Sequence, residues 1–160
     1  MSPRAACRLE LLGFTQVYDY MAGKADWLAH GLPTEGEQAQ VPRAKDVLRR
    51  EMVTAVPGEP VGGVAARVAR APYGFALVVA SDGTLLGRLR KAVLDADPSA
   101  WADQVMEPGP STIRPDRPLA ELAERLRRRE LHTAIVTAPD GKLLGVVQRA
   151  DMEAQLTGRP

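Results

Sequence analysis

The side chains best placed to do chemistry in this chain close one short stretch, Gly145-Val146-Val147-Gln148-Arg149-Ala150-Asp151. Asp151 brings a carboxylate that accepts hydrogen bonds, Gln148 an amide that donates and accepts, and Arg149 a fixed positive charge. The stretch recurs 58 residues earlier as Gly87-Arg88-Leu89-Arg90-Lys91-Ala92-Val93, with valine where the carboxylate would stand. Valine accepts no hydrogen bond, but Arg88, Arg90 and Lys91 are cations of the kind that grip phosphate. Plainer roles compete. Asp151 falls at a helix start, where the backbone dipole favours a carboxylate, and the basic cluster suits an exposed helix start.

Other reactive residue types are sparse. Cys7 is the only cysteine, and its place inside a helical pattern suits a small apolar side chain better than a nucleophile. His30 and His132 have no second histidine or cysteine at metal-ligand spacing, which argues against a metal site. The run Arg125, Arg127, Arg128, Arg129 invites a nucleic-acid reading. However, Glu121 and Glu124 precede Arg125 and Arg128 by four residues, the favourable order for helix ion pairs, so a solvated helix face is expected. The net charge of +1 also argues against a broad nucleic-acid surface. No phosphate-cradling glycine loop or nucleophilic triad is visible.

The elements that must position these residues are duplicated. At a constant offset of 58, 16 of the 48 positions from Val47 to Leu94 are identical to their counterparts in Val105–Met152. They include Thr54/Thr112, Pro60/Pro118 and the run Asp82-Gly83 with Leu85-Leu86-Gly87, repeated as Asp140-Gly141 with Leu143-Leu144-Gly145. Each copy reads as a short strand ending at Thr54-Ala55 or Thr112-Ile113, then a proline at helix entry. The helix that follows has one apolar stripe, Val61, Val64, Ala65 and Val68 or Leu119, Leu122, Ala123 and Leu126. A hairpin comes next, expected to turn through Asp-Gly in the type I′ form, and a short terminal helix ends the unit. One such β-α-β-β-α unit leaves an apolar sheet face uncovered, so the two copies must pack together.

Ahead of the repeats, residues 1 to about 32 read as helix, strand, helix. Pro3 starts the first helix and Gly13 ends it, Gln16–Tyr20 is the strand, and Lys24–His30 the second helix. Residues 34–43, polar and interrupted by glycine and proline, read as a linker.

The repeats resemble cystathionine-β-synthase (CBS) domains, through V-M-E-P-G-P-S-T-I-R-P-D-R-P-L-A-E-L-A-E-R-L and A-P-D-G-K-L-L-G-V-V-Q-R-A-D-M, and the pair resembles a Bateman module. The implied fold is α/β (α+β), two β-α-β-β-α repeats in pseudo-twofold packing. Repeat one spans 44–98 and repeat two 99–158. The resemblance implies a regulatory sensor that binds adenosine-containing ligands such as AMP, ATP or S-adenosylmethionine in clefts between repeats, and that commonly dimerises. In that pattern, Gly-h-h-(Ser/Thr)-x-x-Asp, the aspartate holds ribose hydroxyls and the hydroxyl residue reaches phosphate. Asp151, Gln148, Arg149, Thr54 and Ala55 would then form the better cleft, with Gln148 replacing the hydroxyl. Thr112 and Arg90 would belong to a degenerate second cleft that lacks the aspartate.

Residues 1–33 resemble the carboxy-terminal end of a rhodanese (sulfurtransferase) domain, through S-P-R-A-A-C-R-L-E-L-L-G-F-T-Q-V-Y-D-Y-M-A-G-K-A-D-W-L. The resemblance implies a Cys-headed loop ahead of the first helix, which this sequence does not show. The chain as given is therefore expected to be non-catalytic. A sulfurtransferase regulated by its CBS pair and a structural dimerisation module are the alternatives. No apolar run reaches the roughly 18 residues a membrane span needs, no signal pattern opens the chain, and a single cysteine suits a reducing compartment. A cytoplasmic protein is expected.

Overall fold

The duplicated sequence folds into two interleaved units rather than two successive ones. The computed structural model describes residues 2–158. Helices α1 (Ser2–Leu11) and α2 (Gly23–Ala29) come first. The first repeat follows as β1 (Thr54–Ala55), α3 (Val61–Val68), β2 (Phe75–Val79), β3 (Leu85–Arg90) and α4 (Lys91–Leu94). After α5 (Ala102–Val105) and β4 (Glu107–Pro108), the second repeat lays down β5 (Thr112–Ile113), α6 (Leu119–Arg128), β6 (Thr133–Thr137), β7 (Leu143–Gln148) and α7 (Arg149–Thr157). Each strand of the second repeat and each helix start lies 58 residues beyond its twin. Of the stripes foreseen on α3 and α6, Val61, Val64 and Val68 are buried in the first with Ala65 half-buried beside them, and Leu119, Leu122, Ala123 and Leu126 are buried in the second.

The interleaving is set by what each repeat's lead-in segment buries. A 3₁₀ turn at Ala44–Val47 opens repeat one, yet Ala44 is wholly buried among Ile113, Leu119, Val136 and Met152 of repeat two. Its twin α5 lies at the start of repeat two and buries Ala102 among Ala55, Val61, Leu89 and Leu94 of repeat one. Backbone bonds pin both crossings: Ala44 N donates to Arg117 O and Leu119 N to Pro42 O, as Ala102 N donates to Glu59 O and Val61 N to Ala100 O. Neither unit can close its core without the chain segment that leads into the other.

The two sheets run β1-β2-β3-β4 and β5-β6-β7, with β1 parallel to β2, β5 parallel to β6, and the hairpins antiparallel. A third apolar cluster, built around Tyr73, Leu77, Ile135 and Val146, joins the sheets face to face. Cross-bonds between the turns, Leu85 N to Gly141 O and Leu143 N to Gly83 O, lock the two hairpin tips together. This is the burial that the uncovered sheet face demanded.

Two local expectations are corrected. The hairpin turns are not type I′, because positive φ is confined to Gly83 (+90°) and Gly141 (+88°) and does not extend to Asp82 or Asp140. Gly83 N donates to Ala80 O while Ala80 N donates to Thr84 O, so the loop is one residue longer, and the same pair recurs at Ala138, Gly141 and Lys142. That pattern is a type I turn closed by a glycine bulge. The aspartates serve the turn with their side chains: Asp82 accepts from Thr84 N and Asp140 from Lys142 N. The second correction concerns Gln16–Tyr20, which forms no strand. No neighbouring strand edge pairs with it, and Tyr18 is 87% exposed, so an isolated extended stretch gains nothing from a ladder. Leu28 is the buried contact of this amino-terminal segment, beside Leu48, Pro115 and Leu144. Among the described residues no helix is long and apolar enough to cross a membrane.

Candidate functional site

Two pseudo-equivalent clefts lie where a strand end of one repeat meets the first strand and helix of the other. Beside each, a crossing segment lies close on a strand glycine, Gly87 or Gly145. At Gly145, φ is +154° and an added Cβ would stand 2.3 Å from Arg49 O, so only glycine lets the crossing segment lie on β7. Arg49 and Val146 exchange both backbone hydrogen bonds there, at 2.8 and 2.9 Å. At Gly87 a Cβ would meet Met106 and the carbonyl of Glu107, and Glu107 pairs with Arg88 across β3 and β4. Arg49 and Glu107 are thus the same position in the two repeats, with opposite charge.

At the first cleft the charge is already satisfied. Arg49 Nε and Nη2 each donate to the Asp151 carboxylate at 2.6 Å, a bidentate pair. The pairing raises the Arg49 pKa above its ordinary value. Tyr73 lies near this pair in the cluster between the sheets: it is only 4% exposed, and its hydroxyl is buried with no hydrogen bond. Burial pushes the phenol pKa up, with the Arg49 charge and the nearby Gln148 side chain opposing. Gln148 and Arg149 line a hollow of about 330 Å³ with Tyr73, Phe75 and His132. Asp151, Thr54 and Ala55 do not line it. Ala55 is buried in the core of repeat one, and Thr54 is exposed, its carbonyl accepting from Arg67 Nη2 at 2.8 Å. The structure therefore brings Gln148 and Arg149 together and engages Asp151 with Arg49, a partner that sequence reasoning passed over.

The second cleft is open. A cavity of about 240 Å³ is lined by Arg88, Arg90, Glu107, Thr112, Arg125 and Arg129, with apolar walls that include Leu126 and Ile135. It shares Ile113, Leu122 and Arg125 with an adjoining hollow of about 420 Å³. Thr112 and Arg90 meet here as the resemblance implied, but in a cavity rather than in a vestige of one. The twin of Tyr73 is Leu131, which lies at the rim, 45% exposed, and does not fill the space. Thr112 Oγ1 accepts from Thr137 Oγ1 at 3.2 Å, which in turn accepts from Arg114 Nη1 at 2.9 Å, so the Thr112 side chain is held in place.

The charge of this cleft follows from one difference between the repeats. Arg67 in α3 and Arg125 in α6 are twins, but Arg67 donates to Glu59 at 2.6 Å, whereas the twin of Glu59 is Arg117. Arg125 consequently has no carboxylate partner among the described residues. The ion pair foreseen with Glu121 does not form, although Glu124–Arg128 does at 3.4 Å. Arg125 is exposed on the helix face and lines the cavity without joining the ion pairs of its neighbours. Arg88 and Arg90 share one carboxylate: Glu107 Oε2 accepts from Arg90 Nε at 2.7 Å and from Arg88 Nη2 at 2.9 Å. Those two guanidiniums hold the Glu107 pKa down to about 2, so it is an anion at every physiological pH. Four guanidiniums against one carboxylate give the cleft an excess of positive charge. Among the described residues no three His, Cys, Asp or Glu side chains gather as a metal site would require.

Comparison with known proteins agrees with this fold. Residues 102–156 match the family model of the CBS domain. An uncharacterized protein of Mycobacterium tuberculosis is 34% identical over 116 residues, 69% of this chain and 33% of its own length. The chain thus spans about a third of the curated relatives it matches. The cytosolic domain of the Mg²⁺ channel MgtE, solved in complex with ATP, superposes with a TM-score of 0.63 at 24% identity, covering 74% of this chain and 51% of that one. A CBS-domain pair solved with 5′-methylthioadenosine and S-adenosylmethionine gives 0.60 at 17% identity, covering 74% and 98%. The fold is that of a CBS-domain pair.

Proposed function

We propose that this chain is a regulatory CBS-domain pair that binds one phosphate-bearing adenosine ligand, such as ATP or AMP, in the cleft lined by Thr112, Arg90 and Arg125. The observation that carries this reading is Arg125: a guanidinium lining a cavity, deprived of its acid by Arg117, beside the guanidiniums of Arg88, Arg90 and Arg129. Such a cluster repels itself and gains most from a ligand bearing several anionic oxygens. Leu126 and Ile135 offer an apolar wall for a nucleobase, the mixture of surfaces expected of a small-molecule site. S-adenosylmethionine carries a sulfonium and no phosphate, so it fits this cleft poorly. Because β3, β4 and β5 come from both sides of the repeat junction, an occupant would shift the angle between the repeats. It would signal through that shift, or through the pairing of two modules in a homodimer. In this reading Ser2–Leu28, with its rhodanese-like pattern, is an appendage rather than a working sulfurtransferase.

Calorimetric titration tests the proposal. ATP is expected to bind wild type at one site per chain, and Arg125→Ala to weaken it by about 10- to 100-fold, the worth of a hydrogen bond to a charged group. Asp151→Ala is expected to leave the affinity within about 2-fold. Loss of ATP binding in Asp151→Ala together with wild-type affinity in Arg125→Ala would place the ligand in the other cleft.

A further inference from the structure

We propose that Glu107 is a resident competitor of the ligand: its carboxylate occupies Arg88 and Arg90, and ligand phosphate must displace it to engage them. The inference rests on the reading that the arginine cleft takes a phosphate-bearing ligand. Its own support is the arrangement around one side chain. Glu107 accepts four hydrogen bonds, at 3.2 and 2.9 Å from Arg88 and at 2.7 and 3.2 Å from Arg90. It does so while lining the cavity alongside Thr112 and Arg125, which has no carboxylate partner among the described residues. A carboxylate oxygen pair on two guanidiniums occupies the place where two phosphate oxygens would lie, since both groups are read by the same donor fork. The pair is also 43–61% exposed at Glu107 and Arg90, so water can solvate the displaced carboxylate and the exchange has no buried charge to strand.

Displacement would act on the fold as well as on affinity. Glu107 begins β4, which joins the first sheet through only two register pairs, Gly87–Pro108 and Arg88–Glu107. Its side-chain bonds fasten that short strand to β3. β4 is the last element before β5, so the segment released by an incoming phosphate is the one that carries the chain from one sheet to the other. The first cleft shows the reverse polarity at the same position, with Arg49 as the crossing charge and Asp151 as its anchor.

The test is ATP titration of the whole chain in three forms: wild type, Glu107→Gln and Glu124→Gln. The last removes the same charge from the neighbouring hollow, where Glu124 pairs with Arg127 and Arg128 and does not touch Arg88 or Arg90. Glu107→Gln is expected to tighten ATP by about 10-fold, since the neutral amide leaves both guanidiniums to the phosphate, and Glu124→Gln to change it by less than about 2-fold. Inorganic tripolyphosphate should follow the same order, because the competition is for phosphate alone. If ATP binds wild type but Glu107→Gln binds it no tighter, or both variants tighten it equally, Glu107 is not a competitor and only the cleft assignment survives. If ATP binds none of the three, the cleft assignment fails and the competitor with it. Circular dichroism melts of each form keep a folding defect from being mistaken for either result.

Discussion

Gly145→Ala is expected to lower stability by about 3 kcal/mol or more and the melting temperature by about 10 °C. The Cβ would stand 2.3 Å from a backbone oxygen, that of Arg49, which no rotamer change can move. A positive φ of +154° adds about 1–3 kcal/mol of backbone strain for any side chain. To make room the crossing segment must lift off β7, breaking the two bonds between Arg49 and Val146 at about 1 kcal/mol each. The Arg49–Asp151 pair then separates as well. Gly36→Ala is the matched control. Its φ is +86° and ψ 175° with nothing within 4 Å, so it bears about 1–3 kcal/mol of conformational strain without the collision or the lost bonds. Equal losses for the two variants, read by thermal or urea unfolding, would remove the close approach from the explanation.

Tyr73→Leu is expected to raise the number of ATP sites per chain from one toward two. Leucine is what repeat two has at the twin position, Leu131, where the cleft is open. Tyr73 is buried between the sheets with Leu77, Ile135 and Val146, so the smaller side chain should also cost about 2 kcal/mol of stability. Tyr73→Phe separates the two effects. It keeps the ring between the sheets and removes a hydroxyl that is buried without a partner, so it should leave the stoichiometry at one and stability unchanged or up to about 1 kcal/mol higher. A stoichiometry that stays at one in Tyr73→Leu would mean that the ring does not close the first cleft, and that the Arg49–Asp151 pair alone does.

The fold was legible in the sequence because duplication doubled every local signal. The stripes on α3 and α6, the prolines that open them and the Asp-Gly turns each appear twice at the same offset, and all lie where that pattern placed them. The crossing of Ala44 and Ala102 into each other's repeats was not legible, since a short alanine-led turn has no periodicity and its burial is a long-range property. The clefts were legible in part. A motif ending on Asp151 favoured the first cleft, but motif reading weighs the residues that a ligand would need and overlooks those that already satisfy them. Arg49 lies 102 residues from Asp151, and Tyr73 belongs to no motif. A usable signal was nevertheless present: aligning the repeats sets Glu59 against Arg117, Tyr73 against Leu131 and Arg49 against Glu107. Those three mismatches, rather than the shared positions, decide which cleft is open and which charge it carries.

Amide chemical-shift mapping during an ATP titration separates the arginine-lined cleft from its twin. Occupancy of the arginine-lined cleft is expected to give saturating shifts centred on Arg90, Glu107, Thr112 and Arg125, with Arg49, Gln148 and Asp151 moving little. Shifts centred on Gln148 and Asp151, with Thr112 and Arg125 silent, would contradict it.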